Sequence, residues 1–322
     1  MTRRRSLAFV YALLLACATS AWAQTWPDHS IRLIVTFPAG GGADFVGRAI
    51  APKLTEALGQ SIVVENRAGA NGAIGDEAVA RAAPDGYTLL LGAAGALTIA
   101  PHLTKLQVDT FKDLVPVALV GTSPFVLCVN PSVPAKTVAE LTALAKANPG
   151  KYNFGSSGTG GAPHLAGELY KSIAGIDIVH VPYKGLAPAI TDAIGGRVQI
   201  LFADVGLVAP HVKAGTLRAL AVTGTQRSQA LPDVPTMMEA GVPAYTAGTW
   251  YGVLAPSGTP AAIVKRLNAE LDRALASPDL RAQFANQSVV AAGGSPEDFA
   301  KLIRSDYDKW GKVIKDANIK AE

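Results

Sequence analysis

Apolar segments of strand length alternate with segments of helical periodicity near the start of the chain, and this order restricts the fold more than any other feature. The apolar segments are Ile31–Thr36, Ser61–Glu65 and Tyr87–Leu91. A helical pattern that ends at Gly59 follows the first, and a helix predicted over 72–82 follows the second. Strands that are apolar throughout and joined by helices form a parallel sheet covered on both faces. The sequence therefore predicts an α/β domain.

The same order of elements begins again after an apolar run at Val117–Val120. Further strands are predicted at 125–129, 152–155, 176–181, 198–203, 217–222 and 249–255. Further helices are predicted at 137–147, 163–173, 186–194, 260–276 and 295–316. One economical arrangement assigns residues 24–123 plus 250–322 to lobe 1 and residues 124–249 to lobe 2. The two chain crossings then form a hinge, and the cleft between the lobes forms a pocket.

The first 23 residues have the pattern of a secretory signal peptide. Three arginines at positions 3–5 precede the apolar run Leu7–Ala18, and Ala-Trp-Ala at positions 21–23 supplies a cleavage site. We therefore expect cleavage after Ala23 and export to the periplasm. An alternative is a lipid anchor on Cys17, because Leu14–Cys17 loosely resembles a lipoprotein cleavage box. The apolar run is too short to span a bilayer, and no later stretch is long enough and free of charges and glycines.

Removal of this segment changes the charge of the protein. The full chain has 29 Lys and Arg against 25 Asp and Glu, and loss of the three arginines leaves a net charge of about +1. A nucleic-acid partner would require a clustered basic face, so none is expected.

Cys128 is then the single cysteine, which excludes an internal disulfide. Its apolar surroundings favour a buried thiol over a reactive one. About 299 mature residues, 49% hydrophobic and 17% charged over the full chain, favour two compact domains.

Two glycine-rich segments stand between a predicted strand and a predicted helix. The first is Phe37–Asp44 and the second is Gly155–Leu165. In open parallel sheets, ligands gather at the carboxyl ends of strands, where such loops lie. Glycines let the backbone approach a ligand, and the N-terminus of the next helix favours negative charge. Each loop alone is equally well explained as a simple turn, but two of them in different lobes favour a shared anion-binding cleft.

Motifs for nucleotide binding and for catalysis fit these loops poorly. Neither loop has the Lys-Ser/Thr pair of a phosphate-binding P-loop, and Pro163 or Phe45 stands where a dinucleotide fingerprint needs a small residue. A nucleophile elbow fits 155–158, but its fifth position is Thr159 instead of glycine. A serine hydrolase with Ser157 and His164 remains an alternative, although a histidine in a first helical turn more often caps or packs. The five histidines show no paired metal-ligand spacing, so no metal is assigned.

Charge in the two loops points to a carboxylate more than to a phosphate. Neither loop contains Lys or Arg, and Asp44 is the one charged residue. Asp44 is predicted to be the N-cap of the helix that begins near Phe45, with a water-holding or ligand-facing role as the alternative. Main-chain N–H groups, hydroxyls and ordered waters are sufficient to bind a carboxylate. A phosphate more commonly recruits Arg or Lys.

Five segments along the chain together resemble the signature segments of one known family. They are Phe37–Asp44, Val64–Gly72, Pro84–Thr88, Val181–Gly185 and Leu231–Thr236. The sequence resembles the Bug family, the exported solute-binding proteins of tripartite tricarboxylate transporters, over essentially the whole mature chain. The resemblance implies an α/β, two-lobed periplasmic-binding-protein fold (Venus flytrap, type II-like), with a mostly parallel sheet in each lobe and a hinge. It also implies a monomeric, cofactor-free receptor, not an enzyme, which captures a small organic carboxylate and delivers it to membrane transporter subunits.

The resemblance also implies ligand-binding residues. The first wall of the site would be Phe37, Pro38, Ala39, Gly40, Gly41 and Asp44, and the second wall would be Ser156, Ser157, Gly158, Thr159 and Gly160. Weaker candidates are His164 and Asp204, each with a structural role as the alternative. Ala93 and Ala94 would leave room for a larger acid, and Tyr183 or Trp250 would stack on it unless they are core residues. Arg67 is expected to form a surface pair. A ligand-sensing accessory protein for a membrane receptor is a further alternative, since lobe closure serves both functions.

Overall fold

The structure is a computed structural model that describes residues 26–320. The expected signal peptide at 1–23, its cleavage after Ala23 and the alternative lipid site at Cys17 lie outside the described residues. Within residues 26–320, no helix combines the length and the apolar character needed to cross a bilayer.

Ten strands and a set of helices make up the described chain. The strands are β1 (Ile31–Val35), β2 (Ile62–Asn66), β3 (Thr88–Ala93), β4 (Leu114–Val129), β5 (Asn153–Ser156), β6 (Val179–Pro182), β7 (Ile200–Asp204), β8 (Arg218–Val222), β9 (Gly248–Pro256) and β10 (Val290–Ala291). The α-helices are α1 (Gly42–Leu58), α2 (Ala73–Ala80), α3 (Ala100–Leu103), α4 (Val138–Ala147), α5 (Ala162–Ala174), α6 (Leu186–Ile194), α7 (Val205–Lys213), α8 (Ala261–Ala276), α9 (Pro278–Asn286) and α10 (Pro296–Asp316). A 3₁₀ turn (Ala70–Gly72) precedes α2, and a π-turn (Gly95–Ile99) precedes α3.

The strands form one sheet in the order β2-β1-β3-β9-β4-β7-β5-β6, and β8 and β10 each pair with β4. β1 runs parallel to β2 and β3, and β5 runs parallel to β6 and β7. The predicted α/β fold is therefore confirmed. The sheet is mixed, because β4 and β9 lie between the two parallel groups and pair antiparallel with their neighbours.

Strand β4 joins the two halves of the molecule. The sequence predicted an apolar run at 117–120 and a separate strand at 125–129, but the structure has one strand of 16 residues. Its first part pairs with β9 and its last part pairs with β7 and β8. Ser123 pairs with Thr249 and Pro124 with Gly248. The lobe boundaries expected at 123/124 and 249/250 thus fall on one pair of bonded strands, which is where a hinge is still proposed.

Apolar side chains form separate clusters on both faces of each half of the sheet. In β1, Leu33 and Val35 belong to a cluster that also contains α1 and α8, whereas Ile34 belongs to the cluster on the opposite face with Phe299 of α10. This division follows from the period of two residues along a strand. In the second half, Phe202 and Leu201 of β7 are divided between two further clusters in the same way. The central strands β1 and β7 are therefore covered on both faces, as continuous apolar strands predict, whereas the edge strand β6 is partly exposed.

The structure contains helices that sequence periodicity did not predict. Helix α7 follows Asp204 directly and includes Gly206 and Pro210, which are both atypical of helix interiors. Helices α3 and α9 were also missed, since each is short and begins with a proline within its first two positions.

Cys128 is fully buried in β4, and burial raises the pKa of its thiol to about 12. The predicted core role of this cysteine is confirmed.

We predict that Gly252→Ala destabilises the fold. Gly252 lies in the middle of β9, and an added Cβ would overlap the ring of Phe299 on α10. Overpacking of this kind costs about 1–3 kcal/mol, which exceeds the gain of about 0.5–1 kcal/mol expected from replacing a glycine inside a strand. Urea unfolding should show a lower free energy of unfolding. The control is Gly195→Ala, where φ is −74° and the nearest heavy atom to the new Cβ is 3.5 Å away. Equal stabilities for the two variants would contradict the prediction.

Candidate functional site

Both glycine-rich loops lie at the carboxyl ends of parallel strands and lead into helices. The first glycine loop (37–41) follows β1 and ends at Gly41, the N-cap of α1. The second glycine loop (157–161) follows β5 and ends at Gly161, the N-cap of α5. Neither N-cap has a side chain that accepts a hydrogen bond from the helix. The first N–H groups of α1 and the Ala162 N–H of α5, where Pro163 supplies none, are therefore left without a side-chain cap, and the helix dipoles favour a negative charge there.

Asp44 holds the first glycine loop in place. Its Oδ2 accepts a hydrogen bond from the Gly40 N–H at 2.9 Å, and its Oδ1 accepts one from Arg48 Nε at 2.9 Å. Asp44 is buried, which by itself raises its pKa, but the bonds from Arg48 and Gly40 outweigh burial and the net pKa is lowered. The prediction that Asp44 is the N-cap is wrong, because Gly41 has that position and Asp44 reaches back from the first helical turn. Residues Pro38 to Gly41 remain exposed.

The second glycine loop is ordered by two histidines. The Gly160 N–H donates to Nδ1 of His164 at 3.0 Å, and the ring of His164 stacks on His180 with centroids 3.6 Å apart. Ser156 is fully buried, and its Oγ lies 2.7 Å from Nε2 of His180. Burial and the neighbouring His164 lower the pKa of His180 to about 3, so His180 is neutral at physiological pH. His164 thus has the structural role that was the alternative for it.

This arrangement does not form the serine–histidine pair of a hydrolase. Nδ1 of His164 is occupied by the Gly160 N–H, and its Nε2 lies 3.8 Å from Glu168 Oε1. Ser157 is half-buried and is not bonded to His164. The serine that does contact a histidine is Ser156, which is inaccessible to a substrate. Nothing therefore supports the hydrolase alternative.

A tyrosine and an aspartate lie between the two halves of the site. The hydroxyl of Tyr251 lies against Gly42, the first residue of α1, so closely that a Cβ there would overlap it. Burial and then the charge of Asp204 raise the pKa of Tyr251, so its hydroxyl stays protonated and can donate. Asp204 ends β7, and Ser123 Oγ donates to it at 3.4 Å. Burial raises the pKa of Asp204 to about 6. Tyr251 and Asp204 thus lie between Gly42, which follows the first glycine loop, and β7, the strand that pairs with β5.

Tyr251 was not among the candidate ligand contacts read from the sequence, which named the adjacent Trp250 instead. Trp250 packs in the core against Phe299, and its Nε1 donates to Asp306 at 2.7 Å. Because successive residues in a strand point to opposite faces, Trp250 and Tyr251 cannot both face the cleft. Trp250 thus has the core packing that was the alternative to its stacking on a ligand. The alternation was visible in the sequence, but the face that meets the cleft was not.

The other predicted site residues are largely engaged within the protein. Ala93 and Ala94 are buried, and Ala93 pairs with Tyr251. The Tyr183 hydroxyl donates to Asp192 at 2.9 Å, which directs its ring into its own half of the molecule. Phe37 is half-buried, and its carbonyl accepts a hydrogen bond from Asn66. Arg67 pairs with Glu65 at 2.6 Å, as expected for a surface pair.

A cavity of about 420 Å³ begins at the second glycine loop and extends toward α2 and α3. Thr159 lines it together with Asn71, Asp76 and Leu103, and a Cβ at Gly160 would overlap Leu103. Asp76 is buried, and its Oδ1 has no hydrogen-bond partner among residues 26–320. Burial raises the pKa of its carboxyl from 3.8 to about 7. Sequence reasoning missed Asp76, because a single acid in a helical first turn is ordinarily a capping or surface residue.

No cluster of three or more histidine, cysteine or acidic side chains within residues 26–320 is arranged to hold a metal ion. The geometry is that of a binding site formed by main-chain N–H groups and a few neutral donors. A two-part α/β fold with such loops at the carboxyl ends of its strands is typical of solute-binding proteins.

Comparisons with known proteins identify the family. The family model described as "Tripartite tricarboxylate transporter family receptor" matches residues 46–319. The protein BugT of Bordetella pertussis (strain Tohama I) is 37% identical over 325 residues, with 99% of each chain covered.

Two solved structures are also similar. Rpa4515 of R. palustris, solved with adipate, is 36% identical with a TM-score of 0.81, and the match covers 92% of this chain and 99% of that one. MatC from Rhodopseudomonas palustris, solved with bound malate, is 31% identical with a TM-score of 0.77, and the match covers 90% of this chain and 100% of that one.

The chain belongs to the tripartite tricarboxylate transporter receptor family, which includes the Bug proteins. It is a periplasmic solute-binding receptor with a transporter as its partner, and it is not an enzyme. The resemblance seen in the sequence is thus confirmed.

We predict that His164→Ala loosens the second glycine loop. The variant leaves the Gly160 N–H without its acceptor, and loss of such a buried bond costs about 1–3 kcal/mol. Amide exchange at Gly160 should become faster, and urea unfolding should show lower stability. His164→Asn is the matched control, since its side-chain oxygen can accept the same bond. Unchanged exchange at Gly160 in His164→Ala would show that the histidine does not order the loop.

We also predict that Asp76 makes stability fall as pH rises. Its folded pKa of about 7 lies above the unfolded value of 3.8, so between these values the folded state keeps a proton that the unfolded chain has lost. The advantage of Asp76→Asn over the parent in free energy of unfolding should therefore grow by about 2–3 kcal/mol from pH 5 to pH 8. Urea unfolding at both pH values measures this. Glu77→Gln, at a half-buried carboxylate paired with Arg81, is the control. Parallel pH profiles for Asp76→Asn and the parent would contradict the prediction.

Proposed function

We propose that this receptor binds a small organic carboxylate between the two glycine loops. The observation that carries the proposal is that each loop presents the uncapped N-terminus of a helix at the carboxyl end of a parallel strand. Neither loop contains a basic side chain. Related receptors solved with adipate and with malate support a carboxylic acid as the ligand.

The first wall of the proposed site is built from main-chain groups. Pro38, Ala39, Gly40 and Gly41 are exposed, and Gly40 has a φ of +82° that a side chain would strain. Asp44 fixes this loop through the Gly40 N–H, so it supports the wall and does not itself accept the ligand's charge. The ligand carboxylate accepts hydrogen bonds from the free N–H groups, directly or through ordered water.

The second wall adds side-chain donors. Ser157, Gly158 and Thr159 are half-buried at the end of β5, and Ser157 directs its hydroxyl toward the start of α5, where a Cβ on Gly161 would lie 2.8 Å from its Oγ. Ser156, Gly160 and His164 support the loop from beneath. The Tyr251 hydroxyl lies against Gly42 at the start of α1 and stays protonated, so it is a further donor for a bound acid. Asp204 lies beside Tyr251 and repels a second carboxylate when it is ionised.

Binding couples to movement of lobe 1 (24–123 plus 250–322) relative to lobe 2 (124–249). The ligand contacts both walls only when the lobes are closed, so binding increases the population of the closed form. Bending occurs where Pro124 pairs with Gly248. The receptor acts as a monomer after cleavage at Ala23, and the closed form delivers the acid to the membrane subunits.

We predict that Ser157→Ala weakens carboxylate binding without lowering stability. The hydroxyl donates to a charged ligand, and loss of such a bond costs about 1.5–3 kcal/mol, or roughly tenfold or more in affinity. Isothermal titration calorimetry with a panel of aliphatic and aromatic carboxylates measures the affinity, and small-angle scattering measures lobe closure.

Ser156→Ala is the matched comparison. Ser156 is bonded to His180 and to Gly158 and is fully buried, so this variant should lower the free energy of unfolding. If Ser157→Ala binds every acid as well as the parent does, the second wall is wrongly placed. If the parent binds no carboxylate, the proposed function is refuted.

A further inference from the structure

The cavity beside the second glycine loop is lined by a buried carboxyl group, one oxygen of which has no hydrogen-bond partner within the described residues. Asp76 lies in the first turn of α2 with only 2% of its surface exposed. Its Oδ1 is buried and has no hydrogen-bond partner within residues 26–320, and burial is the cause of its raised pKa. A buried carboxylate without a hydrogen bond or an ion pair is strongly unfavourable, and native proteins rarely retain one. A ligand that supplies the missing donor removes this cost.

The cavity is shaped to lead a ligand from the second glycine loop to Asp76. Thr159 lies at one side, and Asp76 lies on α2 at another. The wall between them is largely apolar and includes Ala73, Ala100 and Leu103. Its volume of about 420 Å³ suits a short aliphatic chain. A ligand held at the loops by its carboxylate would therefore pass its carbon chain over the apolar wall.

Building on the proposed carboxylate site, we propose that this receptor selects an amino acid whose ammonium group binds Asp76 while its carboxylate is held by the glycine loops. An ammonium group supplies both the positive charge and the hydrogen-bond donors that Asp76 lacks. A second carboxylate at the same position would meet a like charge. Asp76 therefore acts as a specificity-determining residue that favours amine-bearing acids over dicarboxylates.

The other charged groups around the cavity do not replace the ligand's ammonium. Lys105, in the segment after α3, lines the cavity but is exposed, and it forms no ion pair with Asp76. Glu77, also on α2, lines the rim and pairs with Arg81. Both groups contribute to the local potential, and neither contacts the buried carboxyl. The charge that the ligand meets deep in the cavity is consequently that of Asp76.

Calorimetry with matched pairs of acids tests this inference. The probes are succinate, glutarate and adipate, each paired with the ω-amino acid of the same chain length: 4-aminobutyrate, 5-aminopentanoate and 6-aminohexanoate. The parent should bind at least one amino acid more tightly than its dicarboxylate partner. Asp76→Asn should lower the affinity for that amino acid about tenfold or more and should leave the dicarboxylate unchanged or tighter. Glu77→Gln, which removes a charge at the rim of the same cavity, should keep the parent's preference.

Proton release provides a second, independent readout. Because the ammonium favours the ionised form of Asp76, binding of the amino acid near pH 7 should release protons, measured as a dependence of the binding heat on the ionisation enthalpy of the buffer. Asp76→Asn should lose this release, whereas Glu77→Gln should keep it. The preference for the amino acid should also decrease from pH 8 to pH 5.5 as Asp76 becomes protonated.

The outcomes separate this inference from the function on which it rests. If the parent binds dicarboxylates and amino acids without preference, or if Asp76→Asn keeps the parent's preference, the role of Asp76 is refuted and the carboxylate receptor stands. Uptake of protons on binding a dicarboxylate would also refute it, because protonated Asp76 would then be the hydrogen-bond donor. If neither the parent nor Ser157→Ala gives binding heat with any of these acids, the proposed carboxylate site itself is refuted.

Discussion

The continuous pairing of β4 with β9 is the constraint on which the rest of the structure depends. β4 bonds to β9 over its first part and to β7 and β8 over its last part, so one strand sets the register of both halves of the sheet. Two irregularities in the pairing, near Pro116 and near Leu119, allow it to bend and twist. Because the backbone hydrogen bonds persist along the whole strand, the halves can bend relative to each other but cannot slide. The hinge proposed at this pair of strands would therefore return the two glycine loops to the same alignment after each opening.

A binding site without basic side chains depends on how firmly its loops are held. Asp44 and His164 have equivalent roles in the two halves, since each lies in the first turn of its helix and accepts a bond from the N–H of a glycine in the preceding loop. One acceptor is a carboxylate paired with Arg48, and the other is a ring stacked on His180. In each case the acceptor uses one main-chain donor to fix the loop and leaves others free. In the proposed site the donors are thereby arranged before a ligand arrives, which would lower the entropic cost of binding.

The sequence predicted where helices and strands occur more reliably than it predicted which strands pair with each other. Local signals place the end of α1 at Gly59 and the start of α4 at Thr137, whose side chain caps the helix as its sequence context suggests. The continuity of β4 and the interposition of β9 depend on pairings between residues more than a hundred positions apart, for which a single sequence has no local signal. The same limit applies to the site. The glycine loops were visible as motifs, whereas Tyr251 and Asp76 acquire their importance from the neighbours that the fold brings to them.

Selectivity in such a receptor has to come from groups other than the loops. Main-chain N–H groups bind any carboxylate, so they give affinity but little discrimination among acids. Discrimination requires polar groups that a wrong ligand leaves unpaired, since an unpaired buried group costs more than a bond to the right ligand gains. Asp76 and Asp204 are two such acids beyond the loops, and burial raises the pKa of each. In the proposed site, the charge of these two acids would therefore set which carboxylic acids the same pair of loops retains.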